Sequence, residues 1–154
     1  MRKIMLIAAI VLGGYAAQAQ DTASLLKKNV QFQGAEATLP SYKAIYQLDT
    51  NNPDQVKKAF RNIRNVLNDP RLKGKISVEL ITFSGGTEVM LKTSAYEDDL
   101  KDLITKGVQV SQCTNSLQER NLTKAQIYDF IAYVPSGNGE LVIRAADGWV
   151  IIKP

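Results

Sequence analysis

From residue 43 onward the chain alternates strand-length apolar runs with segments whose apolar residues recur at helical spacing, and this alternation restricts the fold more than any other feature. Lys43 to Leu48 is the first strand-length run, stopped by Asp49-Thr50-Asn51-Asn52-Pro53. Asn52 is placed to cap a helix and Pro53 to occupy its first turn. Val56, Phe60, Ile63 and Leu67, with Ala59 and Val66, then form one apolar stripe that ends at Asn68-Asp69-Pro70. Ile76 to Phe83 is a second strand, rich in β-branched residues and ended by Ser84-Gly85-Gly86. A short helical piece is expected over Thr87 to Leu91. Ser94 to Glu97 reads as a capping box before Leu100, Leu103 and Ile104, with Gly107 closing that helix. The third strand is Val108 to Gln112, with Cys113 just past its last residue and a helical turn from Asn115 or Ser116. A second capping box, Thr123 to Gln126, precedes a fourth strand from Phe130 to Val134. Pro135 to Gly139 breaks that strand, a helix runs from about Gly139 to Ala146, and Trp149 to Lys153 is the fifth strand. Near-continuous apolar strands alternating with helices give an α/β fold, a mostly parallel sheet covered on both faces.

The first residues read as an export signal. Arg2 and Lys3 precede the uncharged run Ile4 to Leu12, and Ala17-Gln18-Ala19 supplies the small-x-small pattern that a signal peptidase needs. The run is shorter than the roughly 20 residues that span a bilayer, so no stable membrane anchor is expected after cleavage. No cysteine follows the cleavage site, which excludes a lipoprotein anchor. The expected organisation is a signal peptide over residues 1–19, a polar extension over 20–42 with a short helix from Ala23 to Lys28, and one α/β domain over 43–154. The product is then periplasmic or secreted. Cleavage removes two cations and no acid, so the net charge falls from +4 to +2. Lys57, Lys58, Arg61 and Arg64 cluster at the spacing of a wet helix face without interleaved aromatics, so no nucleic-acid partner is expected.

Two counts exclude much of the familiar catalytic machinery. The chain has no histidine and a single cysteine, Cys113. It therefore holds no Ser-His-Asp or Cys-His pair, no His-ligated metal, no internal disulfide, no CxxC motif and no zinc ribbon. No metal or other cofactor is expected.

In an open parallel sheet, ligands sit beyond the carboxyl ends of the strands. The polar residues there are Asp49 to Asn52, Ser84-Gly85-Gly86, Cys113 to Ser116, and Ser136 to Gly139. The two glycine-containing loops lead towards helix N-termini, where backbone N–H groups favour an anion, although neither matches a nucleotide-binding sequence and tight turns also explain them. Cys113 is either a small buried hydrophobe or a nucleophile. A position between a strand and a helical turn favours the nucleophile, and Arg120 and Arg144 are cations that would support a thiolate if they lay nearby. Glu97, Asp98, Asp99 and Asp102 read as solvated acids around the first turns of a helix, and Glu140 as a first-turn acid at the edge that carries the site.

The segment VQVSQCTNSL, Val108 to Leu117, resembles the strand-end cysteine motif of the DsrE/DsrF-like sulfur-relay family. The tail from Val134 to Pro154, with its SGxGEL, GW and terminal KP elements, resembles that family's ending, and the likeness extends over about Lys43 to Pro154. The resemblance implies a three-layer α/β/α sandwich with a mainly parallel five-stranded sheet. It also implies a homo-oligomer, commonly a trimer or hexamer, and a sulfur donor or acceptor protein as partner. Carried over by position, Cys113 is the family's cysteine, followed by Asn115 and Ser116. Ser136, Gly137, Gly139 and Glu140 match the loop after the fourth strand. Ser84, Gly85 and Gly86 complete the expected binding set at the same edge.

Three functions fit these residues. The favoured one is an exported sulfur carrier or sulfurtransferase that holds a persulfide on Cys113, chemistry that needs an accessible thiolate and no histidine base. The others are an oligomeric small-anion-binding protein and a redox-sensitive thiol protein.

Overall fold

The computed structural model describes residues 21–154, so the export signal lies outside the described residues. The chain divides into two units, Met1–Glu36 and Ala37–Pro154. In the first, residues 21–30 are helical (α1), and Leu25, Leu26, Val30 and Phe32 are exposed. None of the described helices is long and apolar enough to cross a membrane.

The second unit contains β1 (Tyr42–Leu48), α2 (Pro53–Asn68), β2 (Ile76–Thr82), a 3-10 helix (Ser84–Met90) and α3 (Glu97–Thr105). These are followed by β3 (Gln109–Cys113), α4 (Thr114–Glu119), a 3-10 turn (Lys124–Gln126), β4 (Ala132–Val134), α5 (Gly137–Ala146) and β5 (Val150–Ile152). All pairings in the five-stranded sheet are parallel, and the strand order is β4-β3-β2-β1-β5. The α/β sandwich expected from the sequence is the fold observed.

Strand order explains how the helices divide. Three crossovers step the same way across the sheet, from β1 to β4, and the last steps back from β4 to β5. With right-handed connections, reversing the step places the helix on the opposite face. Accordingly Val56, Phe60 and Ile63 of α2, Leu100 and Leu103 of α3 and Leu117 of α4 share one core with Ala44, Tyr46, Val78, Leu80 and Val110 of the sheet. On the other face, α5 alone supplies Leu141 to a small core with Ile45 and Ile81, flanked by Phe83, Val134 and Trp149.

Several element ends differ from the sequence expectation for identifiable reasons. The helix cap at Asn52 forms as expected, its Oδ1 accepting from the N–H groups of Asp54 and Gln55 at 3.1 and 3.2 Å. The Ser94–Glu97 capping box does not form. Tyr96 is the cap residue, and the Ser94 hydroxyl instead donates to the Val89 carbonyl at 2.8 Å. The Thr123–Gln126 box does form, on a 3-10 turn. The expected helical piece after β2 is the 3-10 helix beginning at Ser84. Cys113 is the last residue of β3, paired with Val134 of β4, rather than a residue beyond it. Helix α5 starts at Gly137, two residues before the expected point, because Ser136 caps it by accepting from the Gly139 N–H at 3.1 Å.

Candidate functional site

Because every strand runs parallel, the four polar strand ends lie along one edge of the sheet. There, a cleft of about 340 Å³ is lined by Asp49, Phe83, Ser84, Cys113, Asn115, Ser116, Glu119, Ser136, Gly137 and Asn138. Cys113 is only 4% exposed, so its thiol is buried yet borders this hollow.

Alternation along β3 fixes which way the site residues face. Val110 joins the large core and Gln112 reaches Thr87, whereas Ser111 meets Glu79 on the α5 face. Cys113, two residues on from Ser111, shares that face. A buried side-chain network holds the strand end in place. The Gln112 amide donates to the Cys113 carbonyl at 2.8 Å and to the Thr87 hydroxyl at 3.0 Å, and its own carbonyl accepts from Thr82 at 2.7 Å. Gln112 is fully buried, so losing any of these bonds would strand a polar group.

The cleft walls are set by close backbone approaches. Ser84 is held at φ 49°, and its N–H donates to the Ser116 hydroxyl at 2.9 Å, tying the β2 end to α4. Gly86 packs on β1: a Cβ there would stand 2.0 Å from the Leu48 carbonyl oxygen. Gly137 lies against the Phe83 ring, where a Cβ would come within 2.6 Å of a ring carbon. The Asn115 N–H donates to the Pro135 carbonyl at 3.3 Å, joining α4 to the loop before α5.

Of the expected site residues, the structure brings Cys113, Asn115, Ser116, Ser84, Ser136 and Gly137 together around the cleft. Gly85 and Gly86 lie against the β1 end, and Gly139 against its cap residue Ser136. Glu140 faces Arg144, at 2.8 Å. Neither arginine considered as a neighbour of the thiol lines the cleft. Arg120 pairs with Glu88, and Arg144 pairs with Glu79 at 2.7 Å while stacking 4.3 Å over Trp149.

Sequence reasoning missed Glu79, Gln112 and Glu119. Glu79 and Gln112 each interrupt an apolar strand, which is the available signal that a buried polar partner exists. Glu119 had no such signal, since a charged residue near the end of a short helix is ordinary. Among the described residues no three His, Cys, Asp or Glu side chains converge as metal ligands. A separate apolar hollow of about 550 Å³, lined in part by Leu39, Tyr42, Val66, Ile76 and Val150, lies at the amino ends of the strands, away from Cys113.

Two of the solved structures that resemble this one are proteins of unknown function. The protein of unknown function MTH1491 from Methanobacterium thermoautotrophicum is 27% identical, with a TM-score of 0.70 over 74% of this chain and 100% of that one. The conserved protein of unknown function BT1422 from Bacteroides thetaiotaomicron shares the fold at 13% identity, with a TM-score of 0.59 over 73% of this chain and 94% of that one. A search of the curated proteins finds no match. The model of the DsrE/DsrF-like family matches residues 5–154, including the strand-end cysteine and the loop before α5, and the chain belongs to that family.

Proposed function

We propose that this protein is a sulfur carrier whose Cys113 accepts a sulfane sulfur as a persulfide and yields it to an acceptor thiolate. Membership of a sulfur-relay type of family supports the reaction class. The observation that carries the reading is the position of Cys113: a lone thiol, 4% exposed, at the floor of a polar cleft rather than inside either apolar core. A persulfide formed there is shielded from bulk solvent at the border of the cleft. Thiol exchange of this kind proceeds by in-line attack of a thiolate and needs no separate base, in keeping with the absence of histidine.

Intact-mass measurement after incubation with a persulfide donor tests this. The expected result is a gain of one sulfur atom that cyanide removes and that Cys113→Ser abolishes. Undiminished loading of Cys113→Ser would falsify the assignment.

A further inference from the structure

The charges around the cleft run against those of the chain. The sequence is net positive, +4, yet the two charged residues lining the cleft are Asp49 and Glu119. Asp49 pairs with Lys153 at 2.8 Å, with the lysine side chain 62% exposed, so the pair is open to water and exchangeable. Glu119 is exposed and is in none of the ion pairs among the described residues. The remaining lining residues are uncharged. Several backbone donors at the edge are already taken: the Ser84 N–H by Ser116, the Asn115 N–H by Pro135, and the Gly139 and Glu140 N–H groups by Ser136. An anionic sulfur compound therefore meets no cation among the described lining residues, whereas a cationic nitrogen meets two carboxylates.

Resting on the sulfur-carrier reading, we propose that the cleft selects partners whose sulfur lies beside a cationic nitrogen, as in an aminothiol, and disfavours anionic carriers, with Asp49 and Glu119 as the specificity-determining residues. The volume, about 340 Å³, is at the low end of the roughly 300–1,000 Å³ of small-ligand sites. In the transfer step the Cys113 thiolate attacks the outer sulfur of the donor persulfide. The new S–S bond forms as the donor's own S–S bond breaks. The outer sulfur keeps its proton, the donor leaves as a thiolate, and there is no net oxidation. Return of the sulfur is the same exchange with the acceptor thiolate attacking.

The test uses three disulfides of similar size that differ in charge: cystamine (cationic), bis(2-hydroxyethyl) disulfide (neutral) and dithiodipropionate (anionic). Attack by Cys113 gives a mixed disulfide and one released thiolate, followed by intact mass. Each rate is divided by that of the same compound with N-acetylcysteine amide, which removes intrinsic reactivity. At low salt the normalised rate is expected to be about tenfold higher for cystamine than for dithiodipropionate, and to converge as salt screens the field. Glu119→Gln is expected to narrow the ratio about threefold and Lys153→Met to widen it similarly. A ratio of one or below, or one that neither substitution moves, overturns the proposal and leaves the sulfur-carrier reading standing. Failure of every probe to reach Cys113 overturns both. Parallel arms with Lys-Cys-Lys and Glu-Cys-Glu disulfides separate a free aminothiol from a basic peptide segment. Preference for the cation in either arm supports the charge rule, and in neither overturns it.

Discussion

The two faces of the sheet are built by different chemistry. Beneath α2, α3 and α4 the core is continuous and apolar, and the nearby charges stay outside it, as where Arg64 spans from α2 to Asp99 and Asp102 of α3 at 2.6 and 2.9 Å. Beneath α5 only Ile45, Ile81 and Leu141 form a buried apolar cluster, and the adjoining position is taken by Glu79, 1% exposed, held by Arg144 and Ser111. One helix cannot cover the width that three can, so this face is completed by a buried ion pair. The same thin face carries Cys113 at its carboxyl edge, which leaves room there for the cleft. Stability is thus concentrated on one face of the sheet and the reactive group on the other.

Substitutions at the two faces sharpen this contrast. Phe60→Ala, on the thick face, is expected to lower unfolding free energy by about 3–5 kcal/mol, whereas Leu141→Ala, on the thin face, costs about 2 kcal/mol at the lower limit for such changes. Equal shifts in urea midpoint for the two variants would break the comparison.

A somewhat smaller effect tests the ion pair. Arg144→Met leaves Glu79 buried without its cation and should cost about 3 kcal/mol, near the lower limit for breaking such pairs because Arg144 is partly exposed. The double change of Glu79 and Arg144 to Met should recover most of the loss in a denaturant titration. If the double variant is the less stable, the pair contributes net attraction rather than filling a gap.

The smallest effect concerns the same chemistry in water, where Asp69 after α2 pairs with Arg71 at 2.7 Å. Side-chain and backbone hydrogen bonds from Arg71 hold the Asp69 carboxyl down at about 2, against an ordinary 3.8. Because the folded value is the lower, the contribution is complete above the ordinary value and is lost as pH falls through about 2. Acid titration of stability should show Arg71→Gln merging with the parent protein at the acid end. A constant gap between the two curves would show that the ion pair is not its origin.

Local signals were legible where a residue acts on its own neighbours. Asn52 and Pro53 gave the start of α2, and the apolar runs gave the strands, because period and cap chemistry are written within a few residues. Ser94 misled because its hydroxyl is drawn to Val89 and its Oγ also lies 3.3 Å from the Tyr128 hydroxyl, a partner 34 residues away. Glu79 signalled a need for a partner, but its separation of 65 residues from Arg144 kept that partner hidden. Strand order was not readable at all, since parallel strands of similar composition carry no label for their neighbours. Of the site, the strand-end cysteine and its polar neighbours were legible from position alone. Of the acidic lining, Asp49 was legible as a strand-end residue and Glu119 was not, because a charge near the end of a short helix carries no mark of what it faces.

That order has a consequence for self-association. β1 is seven residues long, and its outer edge is closed by β5, which is only three residues long and pairs with Ala44, Ile45 and Tyr46. Detaching those three residues uncovers backbone donors and acceptors along one of the most apolar strands in the sheet. An uncovered edge of that kind is a template for pairing with another chain, so this brief closing strand guards the domain against aggregation out of proportion to the area it buries.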